Sequence, residues 1–158
     1  MGQEIERKFL VKGEAWRDMA EPVAYRQGYI ARSDGRTVRV RKAGETGYLT
    51  VKGPSVGKRG GTARAEFEYE IPVADADEML DTLCEGPLIE KTRRKIPAGA
   101  FTWEVDEFAG ANAGLVVAEV ELQDAAQEVP LPDWIGEEVT GDARYFNASL
   151  VTHPFKDW

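Results

Sequence analysis

The sequence predicts a mainly β (α+β) domain: a closed eight-stranded antiparallel barrel with a few flanking helices. Three observations predict it. Charges recur at every second position in Glu4-x-Glu6-x-Lys8, Arg39-x-Arg41, Glu66-x-Glu68-x-Glu70, Lys91-x-Arg93-x-Lys95, Glu104-x-Asp106 and Glu119-x-Glu121, the spacing that puts side chains on one face of a strand. Turn signals separate these segments. Only one long stretch, residues 74–84, instead carries the helical spacing of Met79, Leu80 and Leu83.

Each element follows from local chemistry. The first strand puts Glu4, Glu6, Lys8 and Leu10 on one face and Ile5, Arg7, Phe9 and Val11 on the other. Residues 13–21, with Trp16 and Met19 at helical spacing, read as a short helix or turn that Pro22 ends. Residues 24–32 form a second strand, and Ser33-Asp34-Gly35 turns it into a third over 37–43. Residues 44–47 turn again into a strand over 48–52. The glycine-rich, basic stretch from Gly53 to Gly61 reads as a loop; it lacks the Gly-Lys-Ser/Thr ending of a phosphate-binding P-loop, and Lys58 and Arg59 are secondary candidates for phosphate contact.

The long strand 62–71 sets Phe67, Tyr69 and Ile71 against Glu66, Glu68 and Glu70, and Pro72 closes it before the helix. Strands over 88–96 and 101–108 flank the Pro97-Ala98-Gly99-Ala100 turn, and 115–122 is the last clear strand. The segment 130–136 reads as irregular or a short helix, and Asp142 as the cap of a helix running through Leu150.

Composition narrows the function. At 158 residues, 42% hydrophobic and 30% charged, the chain fits one soluble domain spanning 1–158. Without a membrane-length apolar run or a signal-peptide pattern, the expected location is cytoplasmic, with no membrane partner. A net charge of −8 argues against a nucleic-acid partner. One cysteine, Cys84 in the helical pattern, excludes an internal disulfide or thiolate cluster, and one histidine, His153, leaves histidine-based catalysis poorly supported. Oligomeric state is open, a homodimer included.

A closed barrel would gather these charges inside, where each must be paired or bound to something. Carboxylates two apart on a strand can bend toward one hard cation, and Glu4, Glu6, Asp106, Glu119 and Glu121 are the candidate metal ligands. All-oxygen ligation favours Mg²⁺ or Mn²⁺ over zinc. Lys8, Arg39, Arg41, Lys52, Lys91 and Arg93 form the complementary cationic set, enough to surround a small polyanion such as a linear triphosphate. Glu66, Glu68 and Glu70 are expected to hold the cations in place rather than to bind metal.

In this order the charged segments resemble the CYTH superfamily of triphosphate tunnel metalloenzymes, and most of all its short bacterial branch, including the closing Val139-Thr140-Gly141-Asp142 and Tyr145-x-Asn147 segment. The resemblance covers nearly the whole chain. It implies an eight-stranded tunnel and metal-dependent hydrolysis of inorganic tripolyphosphate to pyrophosphate and phosphate. It also implies Lys91 with Tyr29, in Gln27-Gly28-Tyr29-Ile30, as a catalytic base pair. The alternatives are a class IV adenylyl cyclase or a nucleoside or thiamine triphosphatase on the same site, and, in another class, a non-catalytic polyphosphate-binding module.

Overall fold

The computed structural model describes residues 3–54 and 62–158. Its elements run β1 (Gln3–Val11), β2 (Val23–Ser33), β3 (Arg36–Ala43), β4 (Thr46–Lys52), β5 (Thr62–Ile71), α1 (Val73–Thr82), β6 (Glu85–Ala98), β7 (Phe101–Phe108), β8 (Val116–Leu122), β9 (Ile135–Glu138) and α2 (Asn147–Thr152). Adjacent strands pair in the order β5-β4-β3-β2-β6-β7-β8-β1, and a further β5–β1 pairing closes them into a ring of eight. Every pairing is antiparallel. Closure gives each of these eight strands a partner on both sides.

Local chemistry explains the joints. The β2–β3 hairpin turns on Asp34 and Gly35, both at positive φ (52° and 79°), as two-residue hairpin turns require. α1 lies outside β2, β3 and β4 and buries Ala76 and Leu80 against Val40, with Ile71, Met79, Cys84 and Leu88 around them. Cys84 is thus a packing residue. The helix approaches closely because Gly47 has no Cβ; one built there would stand 2.8 Å from the Ala76 Cβ.

Apolar side chains pack mainly outside the ring. One core joins the outer faces of β1, β7 and β8, where Phe9, Trp103 and Trp134 meet edge to face, to Trp16 from the 3-10 turn Ala15–Asp18. Another closes one end of the ring: Tyr29, Ile89, Phe108 and Val117 pack against Tyr145, Leu150 and Val151 of the C-terminal segment. The outer faces of β4 and β5 stay partly bare, with Phe67 49% and Tyr69 60% exposed.

Two readings of the sequence change. Residues 135–138 form strand β9, which pairs with the end of β1 beyond β5 and is pinned by a bidentate Arg7–Glu138 ion pair at 2.9 and 2.7 Å. The helix expected from Asp142 through Leu150 is two pieces. Asp142 accepts the Arg144 amide hydrogen at the start of the 3-10 turn Ala143–Tyr145, and the extended backbone of Phe146 separates that turn from α2. Lys58 and Arg59 lie outside the described residues. Among the described residues no helix is long and apolar enough to cross a membrane.

Candidate active site

Inside the ring lies a cavity of about 540 Å³. Strand alternation delivers its walls. β3 contributes Arg39 and Arg41, β4 Lys52, β5 Arg64, Glu66 and Glu68, and β6 Arg93. The opposite arc brings Glu104 from β7, Glu119 and Glu121 from β8, and Glu6 and Lys8 from β1. One arc is thus rich in guanidinium and ammonium groups and the other in carboxylates.

The cationic arc is held by neighbours that keep each head group in position. Arg39 lies 3.6 Å from Glu68, and Thr50 donates to the same carboxylate at 2.8 Å. The Arg39 Nε is buried and has no hydrogen-bond partner among the described residues. Lys52 lies 3.6 Å from Glu66. The Tyr25 ring sits beside both Arg41 and Arg93, each guanidinium 5.0 Å from its centroid. Burial, then the neighbouring Arg39 and Arg93, pull the Arg41 guanidinium down to about 9, so it stays charged at neutral pH.

Behind this wall is a buried ion cluster. Asp106 accepts from Arg93 through both oxygens at 2.7 and 2.8 Å, and from Lys91 at 2.7 Å. Both its oxygens are therefore engaged by cations, and it lies outside the cavity wall, whereas the sequence grouped it with the metal ligands. Burial raises the Asp106 carboxyl, but Arg93 and Lys91 outweigh that and hold it below its ordinary value. The Lys91 side chain is fully buried, and burial, opposed by Asp106 and aided by Arg93 and Arg41, lowers its ammonium to about 7. Its other partners are the Asn147 Oδ1 at 3.2 Å and the rings of Phe108 and Tyr25 at 5.5 and 5.9 Å. Tyr25 faces Lys91 in the β2–β6 register; Tyr29 faces Glu85 and lies in the cavity wall beneath Arg32.

The acidic arc fits a hard cation in chemistry. The side chains of Glu6 and Glu119 are in contact. Burial pushes Glu119 up, but Lys8, the contact with Glu6, Arg93 and Lys91 together hold it well below the carboxylate range. Glu121 stands opposite Glu6 in the β1–β8 register. Among the described residues no three such ligands converge tightly on one point, so Glu6, Glu119 and Glu121 could supply only part of a coordination shell. Glu4 occupies β1 opposite Arg64, and its side chain lies outside the described residues.

Several lining residues escaped the sequence reading. Arg32, Arg36 and Arg64 also line the cavity, as do Thr140, Phe146 and Asn147 of the C-terminal segment. Arg64 shares the i, i+2 spacing of Glu66, a signal available in the sequence. Lys8 donates to the Tyr145 carbonyl at 3.1 Å and Arg32 to that of Ala148 at 2.7 Å, so cations also hold the closing segment down. A second cavity of about 530 Å³, lined by Glu21, Tyr48 and Lys95, shares Arg41, Glu68, Arg93 and Glu104 with the first.

Comparison with known proteins agrees with this geometry. An inorganic triphosphatase of Acetivibrio thermocellus is 54% identical over 158 residues, all of this chain and 99% of the relative. An inorganic triphosphatase of Nitrosomonas europaea is 41% identical over 153 residues, 94% of this chain and 96% of the relative. A crystal structure of an inorganic triphosphatase superposes with a TM-score of 0.61 at 34% identity, covering 93% of this chain and 96% of that one. With its ring of eight strands, its charged interior and a match to the CYTH domain across residues 2–155, the chain belongs to the CYTH domain family.

Proposed function

We propose that this protein hydrolyses inorganic tripolyphosphate to pyrophosphate and phosphate within the ring, in a reaction that depends on a divalent cation, Mg²⁺ or Mn²⁺. The observation that carries the reading is the division of one cavity between a cationic and an acidic arc. Relatives at 54% and 41% identity named inorganic triphosphatase support it.

Lys8, Arg39, Arg41, Lys52 and Arg93 bind the anion, with Arg64 added. The orphaned Arg39 Nε gains its missing acceptor from a phosphate oxygen. Glu6, Glu119 and Glu121, with Glu4 from the same strand, hold the cation, and Asp106 serves as counter-ion to Lys91 and Arg93. A bound divalent cation supplies charge neutralisation on phosphate oxygens and acidifies a coordinated water. The cationic arc keeps the chain of phosphates extended, so that water attacks a terminal phosphorus opposite the bridging oxygen that leaves with pyrophosphate. The same arc stabilises charge building on that leaving group. Support for Lys91 as a proton acceptor is its lowered pKa; its hydrogen-bond partners are Asp106 and Asn147 rather than Tyr29.

The test is phosphate release from tripolyphosphate with Mg²⁺ or Mn²⁺, with ATP as a parallel substrate assayed for cyclic AMP. We expect turnover of tripolyphosphate, no cyclic AMP, and a loss of at least about 100-fold for Glu6→Gln and for Arg39→Ala with the fold retained, as expected when one preorganised charge contact is removed. Binding without turnover by the wild type, or full activity of Glu6→Gln, refutes the assignment.

A further inference from the structure

Gln27 is a fully buried polar side chain at the back of the cavity that the reaction outlined above leaves without a role. Its Oε1 accepts from the Arg41 Nε at 2.8 Å, and its Nε2 donates to the Asn147 Oδ1 at 3.2 Å. That Asn147 oxygen also accepts from the Lys91 Nζ at 3.2 Å. The relay therefore runs Arg41, Gln27, Asn147, Lys91, from β3 through β2 to the start of α2 and back to β6.

Its polarity is forced. A guanidinium has only donors, so the Gln27 oxygen must face Arg41 and its NH₂ group must face Asn147. A protonated Lys91 likewise offers only donors, so Asn147 must present its oxygen to both Lys91 and Gln27. A glutamine meets both demands at once. Glutamate would satisfy Arg41 but oppose the Asn147 oxygen with another acceptor, and an apolar residue would satisfy neither.

Two donors are aimed as a result. With Nε committed to Gln27, Arg41 keeps its terminal Nη groups for the cavity that it lines. With Oδ1 committed to two donors, Asn147 has its NH₂ group left for the same cavity. We propose that Gln27 is a positioning residue for the polyanion: it fixes the direction of the Arg41 guanidinium and the Asn147 amide so that both donate to phosphate oxygens, without touching the substrate itself. This rests on the tripolyphosphatase reading.

The test measures KM and kcat for tripolyphosphate, and calorimetric binding of tripolyphosphate without metal, in wild type, Gln27→Met, Arg41→Ala, Asn147→Ala and the Gln27→Met/Arg41→Ala double variant. Methionine matches the length of glutamine and carries neither amide group. We expect Gln27→Met to raise KM and the dissociation constant roughly tenfold with kcat within about twofold, the signature of lost binding rather than lost chemistry. In the Arg41→Ala background the same change should cost threefold or less, because its main target is gone. An unchanged KM, a fall in kcat alone, or a larger loss in the Arg41→Ala background overturns the proposal. If Gln27→Met does not fold, Asn147→Ala decides: a roughly threefold rise in KM supports the relay and an unchanged KM refutes it. A wild type that binds tripolyphosphate without hydrolysing it removes the catalytic reading and leaves this one to the binding constants; a wild type that does neither refutes both.

Discussion

At the scale of single residues, Lys91 shows how a buried charge is both a cost and a constraint. Its ammonium sits at about 7 in the folded protein, against about 10.4 for a free lysine. Between those values the unfolded chain holds a proton that the folded chain has released, so this group makes stability rise as pH climbs from 7 toward 10, and its penalty is complete below 7. We expect urea unfolding of the wild type to gain on the order of 1 kcal/mol per pH unit from pH 7.5 to 9, a slope that Lys91→Met should lose. Parallel slopes would show that Asp106 keeps Lys91 charged throughout. The sequence exposed Lys91 and Asp106 as charged positions but not their mutual engagement, because i, i+2 spacing reveals a face and not the register with the next strand. That register sets Arg93 opposite Asp106. Gln27 was invisible for a related reason: a neutral amide between two tyrosines carries no charge pattern.

At the scale of elements, charge alternation found most of the strands because their inner faces are polar, whereas elements that serve the outer packing were harder to read. β9 has only four residues and is made a strand by its partner, Arg7 and the free edge of β1 beyond β5. No periodicity over so short a stretch could announce it. The split of the C-terminal helix has a similar origin: the Asp142 cap was legible, but Phe146 leaves the helical path as its ring lies beside the Lys8 ammonium, 5.6 Å from the ring centroid, a tertiary contact. α1 depends on a different tertiary device, the missing side chain at Gly47. A methyl group there would meet the Ala76 Cβ at 2.8 Å and the Ile71 carbonyl oxygen at 3.0 Å, and the second of these is backbone that cannot swing aside. Gly47→Ala should therefore cost about 1–3 kcal/mol, seen as a fall of about 3–10 °C in Tm. KM should stay unchanged, since α1 lies outside the ring; a melting temperature within 1 °C of wild type would mean that the helix simply shifts outward.

At the scale of the whole molecule, the fold inverts the usual placement of charge and oil. The largest apolar core lies against the outside of the ring, and the interior gathers arginines and lysines from neighbouring strands in a chain whose net charge is −8. Ring closure was legible in the sequence because only an enclosed polar interior gives so many strands a charged face; the part of Arg32 and Arg36 in the cavity lining was not, since they flank a hairpin turn where alternation ends. Arg39, Arg41 and Arg93 lie close enough together that Arg39 and Arg93 lower Arg41, so the ring holds like-charge repulsion among its cations. An anion that fills the cavity relieves it in the folded state only. By mass action a ligand at 100 times its dissociation constant adds about 2.7 kcal/mol of stability, or about 5–11 °C in Tm for a chain of this size. We therefore expect metal-free tripolyphosphate to raise Tm by several degrees, and equal ionic strength supplied as sodium chloride to do much less. Arg39→Ala should raise the ligand-free Tm or leave it unchanged, because it removes repulsion, while reducing the shift with tripolyphosphate at least by half. A shift of equal size with sodium chloride would mean that the anion acts on the surface by screening, and the ring would then be a scaffold rather than a receptor for the phosphate chain.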